Sequence, residues 1–151
     1  MEIQDFLSRT DTIVNVRASD KPGLLQELSR QAAARLNLCA DLILGDILKR
    51  EDLGSTGMGN GVAIPHARIP NLKKPFGILA RLRKPIDFDA IDSQPVDLVF
   101  FLLLPVASEG KQLNALACVA RKFRDPETVR HLRRAIDGTE LYRAMVLEIQ
   151  K

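Results

Sequence analysis

A chain of 151 residues, 46% hydrophobic and 27% charged, is sized for one ordinary domain with a genuine core and excludes a wholly disordered polymer. A net charge of +3 and a pI near 9.1 permit an anionic partner without demanding one. No apolar run approaches the length a bilayer requires, and Met1 to Thr10 has no basic-then-apolar leader pattern, so a cytoplasmic protein without direct membrane insertion is expected.

In chain order, a short opening segment is compatible with one helical turn, and Thr12 to Val16 alternates and branches like an edge strand. Ser19 or Asp20 signals a helix start with Pro22 in its first turn, and Leu25, Leu28, Ala32 and Leu36 form an apolar stripe ended by Asn37. Asp41 is placed to cap a second helix through Lys49, with Leu44, Ile47 and Leu48 inward and Arg50 to Asp52 at an exposed exit. A glycine-rich loop follows, then a short strand at Val62 to Ile64. Gly77 to Arg83 alternates Ile78, Ala80 and Leu82 against Leu79, Arg81 and Arg83 as a half-buried strand does, and Pro85 is expected to stop it. Val96 to Leu104, between Pro95 and Pro105, reads as a central strand. A helix carrying Leu113, Leu116, Ala117, Ala120 and Phe123 comes next, and two more follow Pro126 and Gly138.

Strands interspersed with amphipathic helices predict an α/β fold, one domain over residues 1–151, with a mixed β-sheet and helices on both faces. Ligand crevices in such sheets lie where strands end and helices begin, which after the central strand is Ser108 to Asn114. Cys39 and Cys118 are too far apart for a metal knuckle and are expected to be buried thiols. Arg121, Lys122, Arg124, Arg130, Arg133 and Arg134 cluster late in the chain. Interleaved acids, a single tyrosine and the lack of tryptophan make a solvated face the better reading, and no nucleic-acid partner is expected.

The chemistry concentrates in Ser55-Thr56-Gly57-Met58-Gly59-Asn60-Gly61-Val62-Ala63-Ile64-Pro65-His66-Ala67-Arg68. Gly57, Gly59 and Gly61 allow positive φ and close approach of backbone to a ligand, so successive amides there can form an anion nest. The spacing lacks the dinucleotide fingerprint and no GK[ST] occurs, so no nucleotide cofactor is implied. His66 follows Pro65, which holds Ile64 extended, and a neutral imidazole is a competent nucleophile toward phosphorus. Arg68 lies two residues on, on the same side of a strand, and Arg50, Ser55 and Thr56 add donors for a phosphoryl group. His131 stands among arginines on a late helix, and no set of three or four metal ligands converges in the pattern. Neither a paired-carboxylate signature nor G-x-S-x-G stands out.

These residues, LKREDL at Leu48 to Leu53 followed by STGMGNGVAIPHAR, resemble the type-2 enzyme IIA domains of the bacterial phosphoenolpyruvate phosphotransferase system, the fructose/mannitol class. The FFLLLP strand, the QLNALACVAR helix and the ELYRAM segment extend the resemblance over nearly the whole chain and look most like its nitrogen-regulatory branch. The resemblance implies an α/β sandwich and a phosphohistidine carrier needing no cofactor or metal. His66 matches the phosphorylated histidine, Arg50 the arginine against the phosphoryl group, and Ser55 and Thr56 the loop start.

The partners so implied are an HPr-like histidine phosphocarrier as donor and, for regulatory relatives, targets such as a potassium transporter or a sensor kinase. With no IIB or membrane portion attached, a separate regulatory protein is expected over a sugar-specific IIA of a fructose/mannitol transporter. The chain departs from the family pattern at Gln112, where the helix after the central strand commonly starts with a histidine. Its amide can donate to a phosphoryl oxygen but cannot carry a proton. A regulatory interaction module that is never phosphorylated is therefore the competing expectation.

Overall fold

The computed structural model describes residues 1–107 and 109–147, and for 109–113 the backbone alone. Two single 3-10 turns, Ile3–Asp5 and Arg9–Asp11, lead into β1, Thr12–Val16. Helix α1 spans Lys21–Leu36; the Asp20 side chain accepts from the amide of Gly23, Pro22 occupies its first turn, and Asn37 closes it in the left-handed conformation. Each device supplies what a helix end lacks: an acceptor for free amides at the start and a backbone reversal at the finish.

Helix α2 runs Ala40–Asp52, starting one residue before the expected cap at Asp41 and ending three beyond Lys49. Its buried stripe is Ile43, Ile47 and Glu51, whereas Leu48 is exposed. Of the expected inward residues, Ile47 is buried and Leu44 packs half-buried against the same core, so only Leu48 departs from the expected face. Cys39 is exposed and Cys118 half-buried, so neither is the fully buried thiol expected.

The glycine stretch forms a hairpin: β2, Gly57–Gly59, pairs antiparallel with β3, Val62–Ala63. Asn60 and Gly61 are its two-residue loop, with φ of 57° and 80°, the doubly positive combination that the Asn-Gly sequence favours in hairpins. β4 covers His66–Ile69, β5 Phe76–Ile86 and β6 Val96–Pro105. Pro85 does not stop β5; the strand continues to Ile86 with an irregular register after Arg81, where a residue lacking an N–H is tolerated.

The six-stranded sheet has the order β1-β5-β6-β3-β2, with β4 also on β6. β1 and β5 are parallel, β5 and β6 antiparallel, and β3 and β4 both parallel to β6. Val62 pairs with Leu98 and His66 with Leu102, so β3 and β4 are one extended run along β6 in an unbroken register, interrupted at Ile64 and Pro65.

Alternation along β6 builds two cores. Val99, Phe101 and Leu103 pack with Leu24, Leu25, Leu28, Ile43 and Ile47 beneath α1 and α2. Leu98, Phe100, Leu102 and Leu104 pack on the other face with residues of α3 (Glu109–Arg124), α4 (Pro126–Arg134) and α5 (Gly138–Val146). Helices cover both faces, as a fully buried central strand demands. In α3 the inward positions are Ala115, Val119 and Phe123, while Ala117 is exposed; Leu113 lies outside the described side chains. No described helix is long and apolar enough to cross a membrane.

Phe100 is fully buried and stacks edge-on against Phe6 at a centroid distance of 5.9 Å. Phe100→Ala is expected to cost about 3–5 kcal/mol in urea unfolding, whereas Asp20→Ala, which removes only the α1 cap, costs about 1 kcal/mol.

Candidate active site

His66 is the first residue of β4, half-buried at the sheet edge where the C-terminal half of α2 meets α3. Pro65 before it has no amide to donate, and the carbonyl of Pro65 accepts from the Leu102 amide at 2.9 Å. The period of two puts Val62, Ile64, His66 and Arg68 on the α3 side, with Ala63, Ala67 and Ile69 buried on the other.

The imidazole Nδ1 lies 2.7 Å from the carbonyl oxygen of Ile64. A carbonyl only accepts, so Nδ1 carries the hydrogen and the lone pair of the neutral ring resides on Nε2. Nε2 has no hydrogen-bond partner among the described residues. Burial holds the proton affinity of His66 below the ordinary value of 6.5; the Ile64 hydrogen bond opposes this, the Arg50 cation reinforces it, and the Glu51 carboxylate opposes it. At neutral pH the ring is therefore uncharged.

Two shallow depressions flank the ring. One, of about 380 Å³, brings His66 together with Arg68 of β4 and with Asp46, Lys49, Arg50 and Leu53 of the α2 end. The other, of about 440 Å³, joins His66 and Arg50 to Ser55, Thr56, Gly57 and Met58. Arg50 donates through Nη1 to the Gly54 carbonyl at 2.9 Å, which holds its guanidinium over the segment leading to the hairpin. A larger cleft of about 780 Å³, between β1 and the start of α1, contains none of the candidate residues.

Ser55 and Thr56 reach the site, but their hydroxyls are engaged within the protein. Ser55 Oγ donates to the Phe88 carbonyl at 2.7 Å and accepts from the Gly57 amide at 3.0 Å. Thr56 Oγ1 donates to Glu51 at 2.5 Å, and its amide donates to the same carboxylate at 3.2 Å. At Gly57 a Cβ would come within 2.8 Å of the Ala90 Cβ, so glycine is needed for close approach of two strands of backbone.

The structure places Gly59 and Gly61, expected in an anion nest, at the hairpin. Gly59 ends β2 and Gly61 lies in the turn, and neither lines a depression. The Asn60 amide donates to Asp92 at 2.9 Å, and Arg133 clasps the turn by donating to the Asn60 carbonyl at 2.6 Å and to Asp97. These glycines give the turn its positive φ and so place the strand that ends at His66. Ser108 and the side chain of Gln112 lie outside the described residues.

Sequence reasoning missed Glu51. It falls on the α2 stripe four residues after Ile47 and eight after Ile43, so the helical period carried the signal of a buried carboxylate. His131 stays apart from the site, its Nδ1 against the Glu127 carbonyl at 2.8 Å.

The fold is shared with IIA mannitol from Escherichia coli, which superimposes with a TM-score of 0.74 at 16% identity, over 93% of this chain and all of that one. The family described as phosphoenolpyruvate-dependent sugar phosphotransferase system, EIIA 2, matches residues 5–146, and the chain belongs to it. Within the family it is similar to a nitrogen regulatory protein of Bradyrhizobium diazoefficiens, 40% identical over 147 residues that cover 97% of this chain and 96% of the relative. The crystal structure of nitrogen regulatory protein IIA-Ntr from Neisseria meningitidis is similar as well, with a TM-score of 0.89, 32% identity, and coverage of 95% of this chain and 99% of that one.

The direction of the His66 shift can be tested. Followed by NMR, the ring titrates below 6.5, and Arg50→Gln moves its midpoint up by removing a neighbouring cation. Because the folded ring binds its proton less readily than the unfolded one, His66 contributes stability that is complete above about 6.5 and is lost as pH falls through its lower folded value. Urea midpoints of His66→Gln are expected to lack that part of the acid dependence.

Proposed function

We propose that this protein is a cytoplasmic phosphohistidine carrier, accepting a phosphoryl group on Nε2 of His66 from an HPr-like phosphocarrier and acting in nitrogen regulation. The observation that carries this reading is the hydrogen bond from Nδ1 to the Ile64 carbonyl, which leaves the other nitrogen unprotonated and, among the described residues, unpartnered beside Arg50. The Nε2 lone pair attacks phosphorus as the bond to the donor's ring nitrogen breaks, and the electron pair of that bond returns to the donor. Such a transfer needs positioning and charge stabilisation more than covalent help.

Arg50 is the phosphate clamp: a fixed guanidinium beside an incoming group of nearly two negative charges gives charge-assisted hydrogen bonds without reorganisation. Arg68, exposed on the same side of β4, is suited to a second contact. Ser55, Thr56 and Gly57 shape the far wall. Gln112 would contribute an amide donor in place of an ionisable ring.

A protein donor must cover the depressions around His66, and their rims carry apolar side chains suited to this. Leu53 and Ile91 are each 85% exposed, one bordering each depression. Exposed side chains of this size around a reactive group mark an association surface. The names borne by relatives at 40% and 32% identity favour the regulatory role over sugar transport, with targets such as a potassium transporter or a sensor kinase recognised according to phosphorylation state.

Intact-mass measurement after incubation with phosphorylated donor is expected to show one phosphate on the wild type and none on His66→Ala; equal gain by the variant would overturn the reading. Arg50→Ala should slow acceptance by about tenfold or more, the loss of one charge-assisted contact. Leu53→Ser and Ile91→Ser, which remove apolar surface without adding charge, should weaken donor binding by roughly tenfold while changing phosphorylation by phosphoramidate far less. The unphosphorylated-module reading predicts that no donor modifies His66 and that Gln112→His restores transfer.

A further inference from the structure

Behind the histidine lies a polar network that the carrier reading does not use. Glu51 is a buried carboxylate, its side chain 4% exposed, paired at 2.9 Å with Lys21, itself 14% exposed. It accepts from both the hydroxyl and the amide of Thr56. The carbonyl of Thr56 accepts from the Ile64 amide at 3.1 Å, and the carbonyl of Ile64 accepts from His66 Nδ1 at 2.7 Å. Lys21 also lies over the Phe88 ring at 4.5 Å and donates to the Phe88 carbonyl at 3.4 Å, the same carbonyl that Ser55 uses. One chain of hydrogen bonds thus runs from the first residue of α1, through the last turn of α2 and the segment before the hairpin, to the ring.

We propose that Glu51, neutralised by Lys21, is a positioning residue that holds the His66 imidazole and the Arg50 segment in transfer geometry. This rests on the carrier reading for its consequence, but the network is present in the unphosphorylated protein. Glu51 follows Arg50 directly and grips Thr56, so it closes the ends of the segment whose Gly54 carbonyl holds the Arg50 guanidinium. A bare carboxylate behind the site would repel an arriving phosphoryl dianion and favour a protonated, unreactive ring. Lys21 cancels that charge by occupying one acceptor position on Oε1, and the carboxylate still accepts from the amide and the hydroxyl of Thr56. A buried pair is costly to assemble, yet removing one partner strands the other, so the two positions are coupled. Among the described residues, the other charged groups around the ring are Arg50, Asp46 and Lys49 on α2 and Arg68 on β4, with Asp89 at 3.9 Å from Lys21.

The test is a charge cycle read by NMR titration of His66 and by phosphorylation with phosphoramidate. Lys21→Met, which leaves the carboxylate unopposed, should raise the His66 midpoint and slow phosphorylation about tenfold or more, within the hundredfold that small misplacements produce. Glu51→Gln, which leaves the cation unopposed, should lower the midpoint. The double variant Lys21→Met/Glu51→Gln removes both charges and should return the midpoint toward the wild-type value. Singles that shift it in the same direction, or leave both midpoint and rate unchanged, overturn the proposal, since loosened packing alone cannot give opposite signs. Failure of the wild type to gain phosphate from any donor would instead strike the carrier reading, and the titration arm would still decide the role of Glu51.

Discussion

A hydrogen bond between residues two apart in sequence, from His66 Nδ1 to the Ile64 carbonyl, is the interaction on which the site depends. It assigns the two ring nitrogens different tasks before any partner arrives. For it to form, the chain must stay extended through Ile64 and Pro65, and the carbonyl of Ile64 must not be taken up by the sheet. Proline supplies the first condition through its fixed φ and its restriction of the preceding residue. The second follows from the interruption between β3 and β4, which releases Ile64 from β6 and gives its amide to Thr56.

The rest of the fold holds that interruption in place. Leu98, Phe100, Leu102 and Leu104 anchor one face of β6, and Val99, Phe101 and Leu103 the other. A one-residue slip of the 62–69 run would send Ile64 and Val62 to the wrong core, so the register is strongly specified. The Asn-Gly turn, clasped by Arg133 and Asp92, sets where that run begins. Stability and chemistry are therefore coupled through register: the burial that fixes the strand also desolvates the ring and keeps it neutral.

The electrostatics of the site are a balance of opposed terms. Burial and Arg50 push the imidazole toward its neutral form, while the Ile64 hydrogen bond and Glu51 push the other way. In the proposed carrier role, a cation beside the ring would serve two ends, since it disfavours the imidazolium and would favour an approaching phosphoryl group. A carboxylate in the same place would do the opposite, and Glu51 is instead buried and paired with Lys21.

What the amino-acid sequence determined by itself was local in origin. The ends of α1 at Asp20 and Asn37, the central strand at Val96 to Leu104, the helices after Pro126 and Gly138, and a proline-restrained histidine among phosphate-compatible neighbours all follow from capping, period and backbone restriction. Tertiary structure alone decided the burial of Glu51 on α2, the passage of β5 through Pro85, the place of Gly59 and Gly61 at a hairpin, and the engagement of the Ser55 and Thr56 hydroxyls in internal hydrogen bonds. The physical reason is that propensity and periodicity act between near neighbours, whereas these outcomes turn on partners such as Phe88, Asp92 and Arg133, whose proximity exists only once the sheet has brought distant segments together.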